Sequence, residues 1–201
     1  MTKIAIIDYG LGNLRSVLRG IERAGATAVI TQDEEEIASA DGIILPGVGA
    51  FREGMEKLAP VRESIIRSAE TVPLLGICLG MQMLMEESEE HGMHEGLALI
   101  PGRVRRFHPE PGMKVPHMGW NTIHQMLPDD PLLDGVPEGS YLYFVHSYYV
   151  DTAVSNRLCE TEYIVRYASA VKRDQIYGVQ FHPEKSGTTG LQILENFINL
   201  T

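Results

Sequence analysis

The 201-residue chain is 44% hydrophobic and 22% charged, the balance of a globular protein with a real core rather than of a disordered or membrane-embedded one. Its 17 basic and 27 acidic side chains leave a formal net charge of −10, which repels nucleic acid and anionic membrane, so neither is expected as a partner. Two cysteines, Cys78 and Cys159, do not make a disulfide framework, and no apolar run approaches the roughly 18 residues that span a bilayer.

KIAIIDYG opens the chain as a continuous apolar run, the pattern of a strand covered on both faces in a parallel sheet. It enters structure without the apolar stretch and cleavage site of a secretory leader, so the expectation is a cytoplasmic protein of one domain over residues 1–201. GNLRSVLRGIERAG predicts a helix with Leu14, Val17, Leu18 and Ile21 on one stripe, Asn13 as N-cap and Gly25 just past its end. TAVIT and DGIILPG read as strands, with a solvated helix start over the acidic residues 33–36 between them. A helical region follows over about 50–69, then the strand VPLLGIC, with a helix opening directly after Cys78.

From about Gly96 the pattern shifts to short strands separated by Pro, Gly and Asp turns: LALIPGRVRRF, KVPHMGWNTIH, SYLYFVHSYYV, RLCETEY, YASAVKR and QIYGVQFH. GTTGLQILENFINL predicts a closing helix with Leu191, Leu194 and Ile198 on one face. The expected fold is α/β, a doubly wound and mostly parallel central sheet flanked by helices, flavodoxin-like, with additional antiparallel strands in the second half.

LLGICLG places a cysteine in G-x-C-x-G between a strand and a helix, the thiol counterpart of the G-x-S-x-G nucleophile elbow. Gly76 and Gly80 remove side chains where strand and helix approach, and the helix start favours a thiolate at Cys78. A nucleophile needs a base and the base an orienting group. YGVQFHPEKS offers His182 at a strand end and Glu184 two residues on, which extended geometry puts on one side; Pro183 restrains His182 to that geometry. The bare turn LPGVG, with Gly47, Val48 and Gly49, could supply backbone N–H groups to an oxyanion, with the Leu79 amide as second donor.

These motifs, in this order, resemble the class I glutamine amidotransferases, whose Cys-His-Glu triad releases ammonia from glutamine. IDYGLGNLRSV, LPGVGAF, GICLGMQ, PHMGWN, YFVHSYY and QFHPEKS together are similar to the glutaminase subunits of imidazole glycerol phosphate synthase in histidine biosynthesis. The resemblance implies that Cys78 attacks the L-glutamine side-chain amide, His182 moves protons and Glu184 holds the imidazole. It implies substrate contacts from Gln82, Glu90, Ser147 and Tyr148, with serine at a position where threonine is more familiar. It also implies a heterodimer with a (β/α)₈ cyclase subunit, met in trans, with Asn13, Trp120, Tyr143 and Lys185 as contact or coupling residues. Val48 between two glycines resists positive φ, so a low glutaminase activity for the chain alone is expected, raised by partner and acceptor substrate.

No cofactor and no metal are expected. His91 and His94 lack further ligands at useful spacing, and GLGN has Arg15 where a dinucleotide fingerprint needs its third glycine. Met81, Met83, Met85 and Cys159 read as packing, and the basic cluster GRVRRFH as a solvated edge or a local contact. A free-standing cysteine hydrolase of γ-glutamyl compounds or small amides, the glutaminase subunit of another amidotransferase, and a non-catalytic binding module are the rival readings.

Overall fold

The structure is a computed structural model and describes residues 2–201. Its first half alternates strand and helix: β1 (Lys3–Ile7), α1 (Leu14–Arg23), β2 (Thr27–Thr31), α2 (Glu34–Ala38), β3 (Gly42–Gly47), α3 (Phe51–Leu58), α4 (Arg62–Ser68), β4 (Leu74–Cys78) and α5 (Leu79–Met83). The second half carries short strands: β5 (Glu87–Ser88), β6 (His94–Glu95), β7 (Arg103–Arg106), β8 (His117–Thr122), β9 (His124–Gln125), β10 (Tyr141–His146) and β11 (Tyr148–Asp151). Then come β12 (Arg157–Glu162), β13 (Arg166–Arg173), β14 (Ile176–Val179) and the closing helix α6 (Gly187–Asn199).

Strands β2-β1-β3-β4-β14 run parallel in that order, which is the 2-1-3-4-5 winding of a flavodoxin-like sheet. Beyond β14 the sheet continues antiparallel through β13, β11 and β7. β3, and β1 after Lys3, are apolar throughout because both faces are covered. On one face Ile4, Ile6, Ile44, Leu75 and Ile77 pack with Val17 and Ile21 of α1 and with Ile193, Leu194 and Phe197 of α6. On the other, Ile43, Leu45 and Leu74 meet Ile37, Phe51, Ile65 and the α5 residues Leu79, Met81 and Met83.

Several local expectations change in the folded chain. Asn13 occupies the N-cap position of α1, but its side chain makes no capping bond; Asp33 does cap α2, accepting from the amides of Glu35 and Glu36. The core face of α6 is built on Ile193, Leu194 and Phe197, with Ile198 beside them and Leu191 only half-buried, because the helix packs on the same core as α1 and alongside it. LALIPGRVRRF is a strand only over β7. SYLYFVHSYYV is not one strand: β10 pairs with β8 in a separate two-stranded ribbon, whereas β11 joins the main sheet. The chain changes sheets at Ser147, and that corner faces the crevice above β4.

Candidate active site

The crevice lies at the carboxyl ends of β3, β4 and β14, where an open parallel sheet presents its ligands. It holds a cavity of about 560 Å³ whose lining includes Cys78, His182, Gln82, Glu90, Ser147, Tyr148, Val48, Gly49 and Leu79.

Cys78 has φ +55° and ψ −108°, a conformation costly for any residue with a Cβ. Two close approaches impose it. A Cβ on Gly80 would sit 1.7 Å from the Leu45 carbonyl oxygen, so α5 crosses β3 with no room for a side chain. A Cβ on Gly47 would meet the Tyr9 hydroxyl at 2.3 Å and the Leu79 Cβ at 2.8 Å; that hydroxyl donates to the Pro46 carbonyl at 2.7 Å. The sharp strand-to-helix turn thus lifts the sulfur into the cavity. The thiol has a weak, long contact with the Val145 carbonyl at 3.9 Å.

His182 follows β14 in extended geometry, at φ −99° and ψ +96°, as a residue before proline must. Glu184 reaches it by a different route from the extended spacing expected. Pro183–Lys185 form a 3₁₀ turn, closed by the Lys185 amide and the Ser186 hydroxyl, both donating to the His182 carbonyl. Within that turn His182 Nδ1 meets Glu184 Oε1 at 2.8 Å, with both side chains almost wholly buried. Nε2 is buried and without a hydrogen-bond partner, on the cavity wall it shares with Cys78. Burial alone would lower the His182 pKa, but the approach to Cys78 and the bond to Glu184 outweigh it and lift it to about 10.

Around this core, Gln82 is buried in α5 with Nε2 donating to the Tyr148 carbonyl and to Gln180 Oε1, both at 3.1 Å. Glu90 is the one acid of EESEEHG that folds inward; its Oε2 accepts from the Phe51 amide at the start of α3 at 2.7 Å, and the carboxylate borders the cavity. Ser147 and Tyr148 are half-buried on the opposite wall. Gly49 takes φ +102°, whereas Val48 stays out of the left-handed region.

Trp120 and Tyr143 face outward from the β8–β10 ribbon with ring centroids 6.0 Å apart, and Lys185 Nζ lies 5.8 Å from the Tyr143 centroid. Met118 and Tyr141 are exposed on the same ribbon. The Tyr143 carbonyl accepts from the His182 amide at 2.9 Å, so the aromatic face and the histidine are one bond apart. Asn13 stands apart from this group. It follows Gly12, which packs against Pro46 and Gly47.

Arg106 and His146 on the cavity wall, and Gln180 behind the sulfur, escaped the sequence reading. Arg106 sits opposite Tyr148 in the β7–β11 register and lines the cavity with no ion pair among the described residues, while its neighbour Arg105 pairs with Asp151. His146, also on the wall, directs its polar edge into a buried cluster with His117 and Tyr167. Gln180 lies wholly buried against the sulfur. The alternation Gln180–His182 in YGVQFHPEKS was the one available signal for the last. Cys159 is a buried core thiol in β12, its pKa raised by burial, and Met81, Met83 and Met85 are fully buried packing. No helix among the described residues is long and apolar enough to cross a membrane.

Comparison with known proteins places the chain in a family. A family profile for glutamine amidotransferase class-I matches residues 5–200. The chain is 56% identical to the imidazole glycerol phosphate synthase subunit HisH of Methanosarcina mazei, over the whole of both chains. It is 51% identical to the protein of the same name from Archaeoglobus fulgidus, over 98% of each chain. Among solved structures, PurLQS from Thermotoga maritima superposes with a TM-score of 0.75 at 17% identity, covering 98% of each chain. The glutaminase domain of Trypanosoma brucei CTPS gives 0.70 at 19%, covering 100% of this chain and 92% of that one, and both are likenesses of fold. With its sheet order, its cysteine elbow and its full-length kinship, the chain belongs to the class-I glutamine amidotransferase family.

Proposed function

We propose that this chain is the glutaminase subunit of an imidazole glycerol phosphate synthase, a cytoplasmic enzyme that hydrolyses L-glutamine and hands the ammonia to a (β/α)₈ cyclase subunit. The product of that partner would be imidazole glycerol phosphate, with an aminoimidazole carboxamide ribotide released in histidine biosynthesis. The observation that carries the reading is the buried His182–Glu184 pair, its Nε2 open toward a thiol on a strained elbow. The relatives named above add the pathway.

In this scheme the Cys78 sulfur attacks the γ-carboxamide carbon, and the C=O electron pair moves onto oxygen. The Leu79 amide and the backbone at Gly47–Gly49 would donate to that oxyanion. His182, whose pKa of about 10 keeps it protonated at neutral pH, gives its proton to the departing nitrogen, and the C–N bond breaks. Water then attacks the γ-glutamyl thioester with His182 as base, the C–S pair returns to sulfur, and glutamate leaves. Both N–H bonds of Gln82 are already engaged, so it can offer the substrate only its Oε1, as an acceptor. Glu90 and Arg106 give the cavity one anion and one cation, complementary to the α-ammonium and α-carboxylate of an amino acid.

The surface of exposed Met118, Trp120 and Tyr141 and half-buried Tyr143, with Lys185 at its edge, is the one we assign to the cyclase. Asn13 would act from the side of the oxyanion strand. Docking there could reach the site through the Tyr143–His182 backbone bond and favour the positive-φ arrangement that Val48 resists. The test is glutamate release by the purified chain alone, then with a cyclase subunit plus its nucleotide ligand, against Cys78→Ala. Slow turnover that rises sharply with the partner and vanishes in the control is expected. Full activity alone would instead mark an independent hydrolase.

A further inference from the structure

A chain of buried amides touches the nucleophile, and its member nearest the sulfur, Gln180, has no part in the scheme above. Gln180 is wholly buried between β14 and His182, its backbone amide donating to the Ser169 carbonyl at 2.9 Å. Its Nε2 lies 3.6 Å from Cys78 Sγ and its Oε1 lies 3.1 Å from Gln82 Nε2. That same Gln82 nitrogen donates to the Tyr148 carbonyl, which also faces His146 Nδ1 at 2.7 Å.

Carboxamides can be turned end for end, so their orientation has to follow from their neighbours. A backbone carbonyl can only accept. Gln82 must therefore face Tyr148 with its nitrogen, and the second N–H of that nitrogen then points at Gln180. Gln180 must answer with oxygen, which turns its own NH₂ group onto the sulfur. An obligatory acceptor at one end of the chain thus fixes a donor at the other.

Resting on the glutaminase reading, we propose that Gln180 is a catalytic residue whose Nε2–H bond to Cys78 Sγ stabilises the sulfur as it leaves the γ-glutamyl thioester. A thioester sulfur is a poor acceptor and a thiolate a strong one, so the bond strengthens as the C–S bond breaks. During that step His182 takes the proton from water, the new C–O bond forms, and the C–S electron pair returns to a sulfur already facing a donor. The Gln82–Tyr148 link holds this donor in register with the wall that receives the substrate, so the sulfur and the amino acid are positioned by one hydrogen-bonded chain.

Gln180→Glu keeps the shape and the acceptor for Gln82 but removes the donor; Gln180→Met removes both. In the complex with the cyclase subunit, kcat for glutamate release should fall about 10- to 100-fold in each, the range for losing a hydrogen bond to a charged group. KM should fall together with kcat and kcat/KM should stay within about threefold, because slowing only the breakdown of the thioester leaves its formation untouched. Intact-protein mass spectrometry during turnover should find the γ-glutamyl adduct on Cys78 accumulating in the variants and not in the unsubstituted complex. Folded variants with normal kcat, or with a loss carried by kcat/KM and no adduct, would overturn the proposal. If the unsubstituted complex released no glutamate, the glutaminase reading would fall and this proposal with it.

Discussion

Cys78 carries backbone strain that can be measured apart from its chemistry. At φ +55° and ψ −108° its Cβ is forced close to the backbone, and such residues cost about 1–3 kcal/mol each. Comparing Cys78→Gly with Cys78→Ala isolates that cost, since both lack the thiol and only alanine keeps the Cβ. At an ordinary buried position the glycine variant is the weaker one. It loses roughly 0.5–1 kcal/mol to extra freedom in the unfolded chain and about 0.8 kcal/mol of buried Cβ surface. Ala5, fully buried in β1 with no positive φ, is the internal reference, and Ala5→Gly should be destabilising by about 1–2 kcal/mol. At Cys78 the relieved strain offsets that loss. Cys78→Gly is expected to equal Cys78→Ala or exceed it by up to about 1.5 kcal/mol. Urea unfolding of the two variants, with m of about 2–3 kcal/mol/M, would separate their midpoints by up to roughly 0.5–0.75 M. A glycine variant less stable than the alanine variant by about 1 kcal/mol or more would refute the idea that the elbow stores strain.

Two further predictions concern charge. Burial lowers His117 to a pKa of about 4 and, with the nearby His117 and His182 charges, lowers His146 to about 3. Between those values and the unfolded 6.5 the unfolded chain binds more protons, so stability rises with pH there and is lost as pH falls from 6.5 toward 3. Replacing His146 by Gln, which does not titrate, should flatten the slope of unfolding free energy between about pH 6 and 4.5 by up to about 1.4 kcal/mol per pH unit; an unchanged slope would remove His146 from the account. For Arg106, Arg106→Gln should raise KM for L-glutamine about tenfold at nearly constant kcat, the low end expected of an exposed charge-assisted bond. The uncharged α-amide of glutamine should be handled equally by both forms, and an equal penalty on both substrates would place Arg106 outside carboxylate recognition.

The alternation of the first half, the elbow and the His-Pro-Glu turn were legible along the chain because each is encoded by local sterics. Glycines mark where a helix crosses a strand with no room for a Cβ, proline fixes the backbone at the histidine, and continuous apolar runs mark strands covered on both faces. Other features depended on pairings between distant segments. Residue pattern does not separate Glu90 from its acidic neighbours, and only the family resemblance names it; in the fold the Phe51 amide at the start of α3 sets it apart. Arg106 becomes a cavity residue only because β7 pairs with β11 opposite Tyr148. The split of SYLYFVHSYYV into two sheets at Ser147 rests on what β8 and β7 offer as partners, and its sequence carries no break to announce it. Residue pattern by itself therefore determined the fold class, the cysteine elbow and the strand-end histidine. Which polar groups converge on them was decided by tertiary structure, because hydrogen-bond partners are chosen in space after the strands have paired.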